Sequence, residues 1–350
     1  MKKLLPIALM LMSSSVWSIS ISVTTTQCGG GLSTSQCDDL EAEAETSANS
    51  DLPDVSLGKY AEGISNANGF AYKGSTSEYA DKLELMSLKI SGGVAFAGDL
   101  NEPEEADGFG VGGAVTAGLN LDILPIDKVG PIELSKLDLF FTFMSYDVDQ
   151  DQGDSNVEGS ISAFGAFARY PLVESKSILG GYLVEWGGVH LHTGFMQSKM
   201  KVEMTQSFED QDFEDDSNDP IILYGQFTDG SANFTIDSSI TTIPVELSTY
   251  LRLGYVFTLY GGVGFDYQMG STDVDFGADG DLEGGTSEGS SDWRADVDVS
   301  DDNNGKPTAT NTRSFVGLQF NVPFVRLYAQ LNKGLGSDLV GTNLGLKIIY

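Results

Sequence analysis

The sequence predicts an all-β protein: a transmembrane antiparallel up-and-down β-barrel of about ten strands, or alternatively twelve, after a mixed, irregular amino-terminal segment. Three observations predict this fold. Segments of about ten residues alternate apolar side chains with small or polar ones. Long acidic stretches occupy every second connection, and the last segment ends on an aromatic residue, Tyr350. A soluble sandwich is the alternative, but its exposed faces would carry Lys and Glu freely, whereas these second faces are rich in Gly, Ser, Thr, Asn and Gln.

Composition and charge narrow the class of protein. The 350 residues are 41% hydrophobic with a net charge of -32, and a chain this apolar is not expected to be disordered. No apolar run of about 18 residues follows the amino terminus, so no transmembrane helix is predicted there, and barrel strands would not produce such a run. The strong negative charge excludes free nucleic acid as a natural partner.

The amino terminus has the pattern of an export signal, predicted over residues 1–20. Basic residues at 2–3 precede a short apolar core at 4–12, and a small-residue stretch follows, with candidate cleavage sites after Ser18 and Ser20. An amino-terminal membrane anchor is the alternative, but the apolar core is short for spanning a bilayer.

The segment 21–81 contains the two cysteines, Cys28 and Cys37. In an exported chain they are expected to form a disulfide that closes a Gly-rich loop. A metal site is a weaker alternative, because no histidine lies nearby. A reactive dithiol is also weaker, because the spacing is wide and no βαβ pattern surrounds it.

Residues 38–81 differ in character from the rest of the chain. They begin with an acidic, helix-permissive run, and two interpretations stay open: a periplasmic tail, or a plug that folds inside the barrel. Four aromatic residues make a purely solvated tail less favourable, because aromatic rings favour burial. They are Tyr60, Phe70, Tyr72 and Tyr79.

Residues 82–350 form the predicted barrel. Its ten strands are expected at 83–98, 109–121, 136–147, 158–170, 178–204, 238–254, 256–270, 313–322, 325–333 and 339–350. The strand 178–204 is unusually long and changes face near Thr193, which indicates a bulge. Residues 221–230 look like a hairpin, which either extends a long loop as a β-ribbon or adds two strands to make twelve.

The last strand carries a predicted barrel-insertion signal. Its apolar face includes Leu344, Leu346 and Ile348 and ends at Tyr350. This pattern resembles the closing strand of bacterial outer-membrane barrels, which the barrel-assembly machinery reads, so that machinery is an expected partner.

The connections predict the orientation. If strands alternate up and down, one end of the barrel receives connections that are mostly long and very acidic, and the other receives connections that are generally shorter. The long set comprises 99–108, 149–157, 205–237, 271–312 and 334–338, and the short set 122–135, 171–177, 255 and 323–324. Membrane barrels place long loops outside. We therefore expect a bacterial outer-membrane protein with extracellular loops, both termini periplasmic, and outer-membrane lipid and lipopolysaccharide around it.

Three stretches carry a resemblance to a known family. Tyr60–Gly63, Thr258–Phe265 and Val325–Gly334 resemble an uncharacterised family of bacterial outer-membrane β-barrel proteins, over most of the chain after residue 57. A hatch before the barrel is, more weakly, similar to fatty-acid transporters of the outer membrane. The resemblance implies a fold and a location, but no activity.

Catalytic chemistry is not predicted. His190 and His192 are the only histidines, and period two puts both on one face of a strand. A protease site would need paired carboxylates near them, and no such pair can be placed, because Glu185 is expected on the other face. Packing or lining of the lumen is the favoured interpretation, and we expect no enzyme.

The acidic connections suggest a calcium site as a weaker alternative to solvated loops. Asp147, Asp149, Asp151 and Glu158 occupy positions 1, 3, 5 and 12 of a calcium loop. Gly153, however, falls at position seven, where position six is required. Apart from weakly bound Ca²⁺ at this cluster, no cofactor is expected.

Polar residues on the second faces are candidates for lining the lumen or forming a constriction. They are Lys89, Glu246, Tyr250, Arg252, Tyr260, Asp266, Arg326, Tyr328 and Gln330. Charged groups inside a barrel either pair structurally or select solutes. The favoured function is a passive channel for small solutes, apolar ones included, gated by the amino-terminal segment. The alternative is a non-conducting adhesin or structural protein with acidic extracellular loops.

Overall fold

The computed structural model describes most of the chain after residue 20. The described residues are 21–29, 32–35, 37–39, 41–42, 57–80, 83, 85–98, 107–152, 155–179, 183–207, 211–215, 223–285 and 292–349. The predicted signal peptide and Tyr350 of the predicted insertion signal lie outside them. Among the described residues, none of the helices combines the length and the apolar character needed to cross a membrane.

Strands dominate the structure, with one helix inside the barrel. The strands are β1 (Ile21–Cys28), β2 (Met86–Ala97), β3 (Gly108–Asn120), β4 (Lys128–Val129), β5 (Ile132–Glu133), β6 (Asp138–Gln152), β7 (Ser155–Val173), β8 (Lys176–Leu179), β9 (Val184–Trp186), β10 (Val189–Ser207), β11 (Gln211–Asp215), β12 (Leu223–Leu253), β13 (Phe257–Gly285), β14 (Trp293–Gly305), β15 (Thr310–Val322), β16 (Val325–Gly334) and β17 (Leu339–Ile349). The helix is α1 (Leu57–Ala71), and two single 3-10 turns span Leu121–Ile123 and Leu134–Lys136.

An antiparallel ring closes the barrel and confirms the predicted fold class. Within the described residues, the ring runs β2-β3-β6-β7-β10-β12-β13-β15-β16-β17, which is ten strands, and β17 pairs back onto β2. Each of the ten corresponds to a predicted strand. The residues of the predicted 221–230 hairpin that are described belong to β12, which pairs there with β11 beyond the ring. They extend a long connection as a ribbon and add no strand to the ring.

The ring is apolar outside and polar inside. Arg313, Arg169 and Lys347 are 0–1% exposed, and their side chains point into the lumen. Large apolar side chains point outward instead: Phe143 is 56% exposed and Leu344 is 64% exposed. A soluble protein buries the opposite set of residues, so this distribution fits a wall that contacts hydrocarbon.

One end of the ring carries an extension of the sheet. β12 has 31 residues and β13 has 29, and their outer parts pair with β11 and β14 beyond the ring. β1 pairs with β14, with Ile21 opposite Val299. We call this end the long-loop end, and the end with the turns at 254–256 and 323–324 the short-turn end. Much of the predicted acidic loop 271–312 is therefore strand.

A small apolar cluster holds the amino-terminal strand to the extension. Val23 of β1 packs with Trp293 and Ala295 of β14 and with Cys37. Cys37 and Cys28 form the predicted disulfide. Trp293 donates a hydrogen bond from its indole nitrogen to Oγ1 of Thr25 at 3.0 Å. The described amino-terminal residues thus form one small unit with β14.

The described ends of the chain lie at opposite ends of the barrel. β1 belongs to the extension at the long-loop end, whereas Ile349 pairs with Ser87 at the short-turn end. The prediction that both termini share the short-turn end is therefore wrong for β1. The reason is that residues 57–80 pass along the lumen and connect the extension to the start of β2.

The long predicted strand 178–204 is divided into β8, β9 and β10. The break falls at Gly187 and Gly188, and Gly188 has φ +81°, a backbone conformation that side chains disfavour. The register with β7 shifts between Val189 and His190. The change of face predicted near Thr193 is therefore located at this glycine pair instead, and β10 alternates regularly after it.

Candidate functional site

The lumen is occupied by residues 57–80, which we call the plug. Apart from Gly58, Lys59 and Glu62, its residues are buried. Its helix, α1, begins at the long-loop end, where Lys59 and Glu62 remain exposed. Of the two interpretations left open for residues 38–81, the described part, residues 57–80, lies inside the barrel.

The part of the plug nearer the long-loop end, helix α1, packs through apolar side chains. Tyr60, Ala61 and Ile64 of α1 form one buried cluster with wall residues such as Ile236 and Val274. The helix also approaches the wall backbone closely. A Cβ placed on Gly63 would lie 2.1 Å from the carbonyl oxygen of Asp107. A glycine inside a helix costs about 1 kcal/mol relative to alanine, and this close contact explains its presence.

The lower half of the plug, residues 72–80, is bound to one side of the wall by charges. Lys73 Nζ lies 2.8 Å from Oδ1 of Asp266 on β13. Arg313 of β15 binds both Asp266, with Nε 3.0 Å from Oδ2, and Glu246 of β12. Tyr79 of the plug donates its hydroxyl to Glu246 at 2.7 Å. Two cations and two carboxylates are therefore buried together and balance each other.

Charges also bind the plug to other parts of the wall. Glu78 Oε2 lies 2.6 Å from Nζ of Lys347 on β17. Arg169 of β7 donates from Nη1 to the Glu78 carbonyl at 2.8 Å and pairs with Asp138 of β6. Lys89 of β2 donates to the carbonyl oxygen of Ser77 at 2.5 Å. The plug is thus held from several directions, and removing one partner of such a pair leaves a buried, unpaired charge.

The two histidines lie in the lumen and bond to neutral groups. His192 Nδ1 is 2.7 Å from Oγ of Ser77, and its Nε2 is 2.7 Å from Oγ of Ser248. His190 Nε2 is 2.8 Å from the carbonyl of Gly187, and its ring stacks on Tyr250. His192 therefore joins the plug to β12. Glu185, expected on the other face, lies on the lumen side and pairs with Arg252 at 3.2 Å.

The sequence matches a family model over nearly its whole length. The match is to the Lsa36-like family and covers residues 22–350. The chain belongs to the Lsa36-like family. No curated protein matches it.

Solved structures with some likeness to this Lsa36-like chain are barrels of bacterial surfaces. The translocator domain of the autotransporter NalP from Neisseria meningitidis has 11% identity and a TM-score of 0.27, with 76% of this chain and 88% of that chain covered. Ail of Yersinia pestis has 15% identity and a TM-score of 0.22, covering 77% and 99%. Omp33 of Acinetobacter baumannii has 9% identity and a TM-score of 0.22, covering 78% and 99%. Scores this low say nothing about the function of the Lsa36-like chain, and its predicted similarity to fatty-acid transporters stays a prediction.

Most of the predicted lumen residues meet the plug. Those buried in the lumen are Lys89, Glu246, Tyr250, Tyr260, Asp266, Tyr328 and Gln330. Arg252 and Arg326 lie nearer the short-turn end and are partly exposed. Tyr328 donates its hydroxyl to Asn343 at 2.9 Å, and a cavity of about 10 Å³, room for one water, lies between the Tyr328 and Tyr260 rings and the plug.

Several residues of the site are absent from the predicted set. Arg313 shares the strand face of Gln319, so alternation alone could have identified it. Arg169 could not be identified in this way, because both faces of its strand are small and apolar in sequence. Lys73 and Glu78 belong to the plug, which has no strand periodicity.

The predicted calcium ligands lie on the outer wall. Asp149 of β6 is opposite Glu158 of β7, which is opposite Glu203 of β10. The four predicted ligands therefore occupy two paired strands and not a single loop. Among the described residues, no group of three or more His, Cys, Asp or Glu side chains is arranged to hold a metal ion. Calcium binding here stays a prediction.

The extension carries a strongly acidic face. Asp237 is opposite Asp273, and Asp275 is opposite Asp302. The same face continues outward, and within the described residues it bears Asp237, Asp273, Asp275, Asp279, Asp281, Asp296, Asp298 and Asp302. Partial burial and the carboxylates of Asp302, Asp273 and Asp237 raise the pKa of Asp275. Like charges this close repel each other, so the face is built for display to solvent or to a cationic surface.

Proposed function

We propose that this Lsa36-like protein is a non-conducting outer-membrane barrel that anchors an acidic β-sheet surface outside the cell. The observation that supports this proposal most directly is the plug, which is held by buried ion pairs to β13 and β17 and by a buried hydrogen bond from Arg169 of β7. Transport of a solute would need these pairs to break.

The membrane placement is supported by the exterior of the ring. Exposed Leu, Ile, Val and Phe side chains cover the outward faces of the strands. Pairing of β17 with β2 closes the ring, so neither strand has a free edge there. Long connections of membrane barrels lie outside the cell. On this basis the extension, β1 and the disulfide lie on the outer surface, and the turns at 254–256 and 323–324 lie in the periplasm.

A role in attachment follows from what the barrel would display. The acidic face of the extension is complementary to basic surfaces, and charge complementarity increases the rate and the selectivity of encounter. Plug residues Ser77 and Tyr79 contact His192, and both histidines bond to hydroxyl or carbonyl groups, which supports a structural role for them and not a catalytic one.

Recording in planar bilayers tests the closed lumen. The intact protein is expected to give no discrete conductance steps, whereas a variant lacking residues 57–80 is expected to give them, because removing the plug opens space along the bore. Discrete steps from the intact protein at the same protein concentration would contradict the proposal.

Labelling of whole cells tests the display of β1. An epitope inserted directly before Ile21 of the mature chain is expected to bind antibody on intact cells. An epitope in the turn at 323–324 is expected to bind only after the outer membrane is permeabilised. The reverse pattern would place the extension in the periplasm and exclude surface attachment.

Gated passage of a small solute is the second candidate. It is favoured by the chemistry of residues 72–80, which contact the wall through hydrogen bonds and ion pairs that water can replace. Steps that appear in the intact protein only above a threshold voltage or only at low pH would support gating.

A further inference from the structure

The barrel wall is incompletely paired between β3 and β6. Their register runs from Asn120 and Asp138 to Val115 and Phe143 and, within the described residues, ends there. β3 nevertheless continues to Gly108, paired on its other side with β2, and β6 continues to Gln152, paired on its other side with β7. From Val115 and Phe143 towards the long-loop end, the facing edges of β3 and β6 have no ladder between them in the described residues. We call this gap the seam.

The seam adjoins the apolar exterior of the ring. Val111 on one edge is 39% exposed, and Phe143, at the closed end of the seam, is 56% exposed. Strand edges in contact with hydrocarbon have no water to satisfy their N–H and C=O groups. The N–H and C=O groups on the edges of the seam therefore need polar hydrogen-bond partners, while the side chains around its closed end contact lipid.

A single flexible side chain fills the closed end of the seam. A Cβ placed on Gly113 of β3 would lie 2.5 Å from Sδ and 2.8 Å from Cε of Met144 on β6. Met144 also packs on an apolar cluster inside the barrel that includes Phe70 and Tyr72 of the plug. Its side chain thus bridges the wall and the interior, and unbranched methionine readily changes rotamer.

An unpaired hydroxyl lies behind Met144. Tyr72 is 2% exposed, and its hydroxyl is among the buried polar atoms without a hydrogen-bond partner in the described structure. Its ring lies against β3, where a Cβ placed on Gly112 would be 3.2 Å from it. Buried hydroxyl groups normally bind a partner, so the packing around Tyr72 is incomplete on the inner side of the seam.

We propose that the seam binds one acyl chain of an outer-membrane lipid. The chain takes the place of the Met144 side chain against the cluster around Phe70 and Tyr72, in continuity with the lipid-facing wall. The polar head of the same lipid supplies hydrogen bonds to the open edges of β3 and β6 nearer the long-loop end. The inference rests on the proposed membrane placement and adds a specific lipid site to it.

Native mass spectrometry of the full-length protein, purified from membranes and transferred between detergents, tests the site. The wild type is expected to retain one lipid per barrel. Met144→Trp fills the seam and is expected to lower the lipid-bound fraction about tenfold, since the chain loses its contacts inside the wall. Leu318→Trp is the matched control, because Leu318 is an outward residue on fully paired β15, and it should retain the lipid.

Two further variants keep the test decisive. Met144→Leu preserves an apolar side chain of similar size and should retain the lipid, whereas Met144→Gln should lose it. The shift in gel mobility on heating shows whether each variant is folded. Equal lipid retention by the Trp, Gln and control variants, or a wild type without lipid, would overturn the proposal. A mature chain that is folded and monodisperse without detergent would overturn the membrane placement itself.

Discussion

Arg313 donates a hydrogen bond from Nε to Oδ2 of Asp266 across 3.0 Å, and neither side chain is exposed to solvent. The other oxygen of Asp266 accepts from Lys73 of the plug, and the guanidinium also reaches Glu246. The plug therefore supplies the second cation that balances two wall carboxylates. Charge balance within this network of four side chains therefore depends on the plug being in place.

Replacing Arg313 is expected to destabilise the barrel strongly. Arg313→Met leaves Asp266 and Glu246 facing Lys73 alone, so we expect a loss of about 3–5 kcal/mol in the free energy of unfolding. Urea unfolding in phospholipid vesicles measures it. Lys128→Met is the control, because Lys128 is 62% exposed in its pair with Glu133, and exposed pairs contribute about 0–1 kcal/mol. Equal losses in the two variants would show that the network does not stabilise the barrel.

A double-mutant cycle should reveal the coupling of the plug to β17. Glu78→Leu alone leaves Lys347 buried without its carboxylate, and Lys347→Met alone leaves Glu78 unpaired. We expect each single variant to lose about 3–5 kcal/mol and the double variant to lose less than the sum of the two, because both single variants remove the same Glu78–Lys347 interaction. Strictly additive losses in urea unfolding would contradict a direct plug-to-wall pair.

Adding one methyl group at Gly63 tests whether α1 packs closely on the barrel wall. In Gly63→Ala the new Cβ would lie 2.1 Å from the Asp107 carbonyl oxygen, so the helix must shift. We expect a loss of about 1–3 kcal/mol and faster cleavage of the plug by added protease. Gly92→Ala is the control, because its nearest atom lies at 3.9 Å. Unchanged protection in Gly63→Ala would show that the helix is not packed closely on the wall.

The acidic face should make the extension more stable as pH falls. Because the pKa of Asp275 is raised in the folded protein, the folded state binds this proton more tightly than the unfolded state. The repulsion is present above the folded pKa and disappears as pH falls below the ordinary value of 3.8. Asp275→Asn is therefore expected to stabilise the extension at neutral pH and to have no effect well below that value.

Tryptophan fluorescence can follow this transition. Trp293 lies in the apolar cluster of the extension, and a Trp186→Phe background removes the other tryptophan of the barrel. An Asp275→Asn variant that is no more stable than its parent at neutral pH would show that Asp237, Asp273 and Asp302 do not repel Asp275 appreciably.

Alternation was sufficient to predict the wall but not its contents. Period two places outward residues such as Phe143 and inward ones such as Asp266 correctly, because a wall between lipid and lumen imposes that period on every strand. It fails at Gly187 and Gly188, where a positive φ reverses the faces between β9 and β10. It also cannot identify the partners of the wall charges, because Lys73 and Glu78 lie on an irregular segment far away in sequence.

The path of the amino-terminal segment could not be predicted for a different reason. The strand pattern starts at β2, and nothing before it shows which end of the ring the chain comes from. That direction is set by pairing of β1 with β14, a contact between residues about 270 apart in sequence, and local alternation does not show which distant strand β1 will pair with.

The lumen segment is tethered at both ends, and this makes it captive. At one end it continues covalently into β2, and at the other it leads back to β1, which pairs with β14 and ends at Cys28 in the loop closed by the Cys28–Cys37 disulfide. During assembly, either β17 pairs with β2 after the plug is already in place, or the amino-terminal residues pass through a ring that has already closed. The plug therefore cannot leave the ring unless β1 first separates from β14.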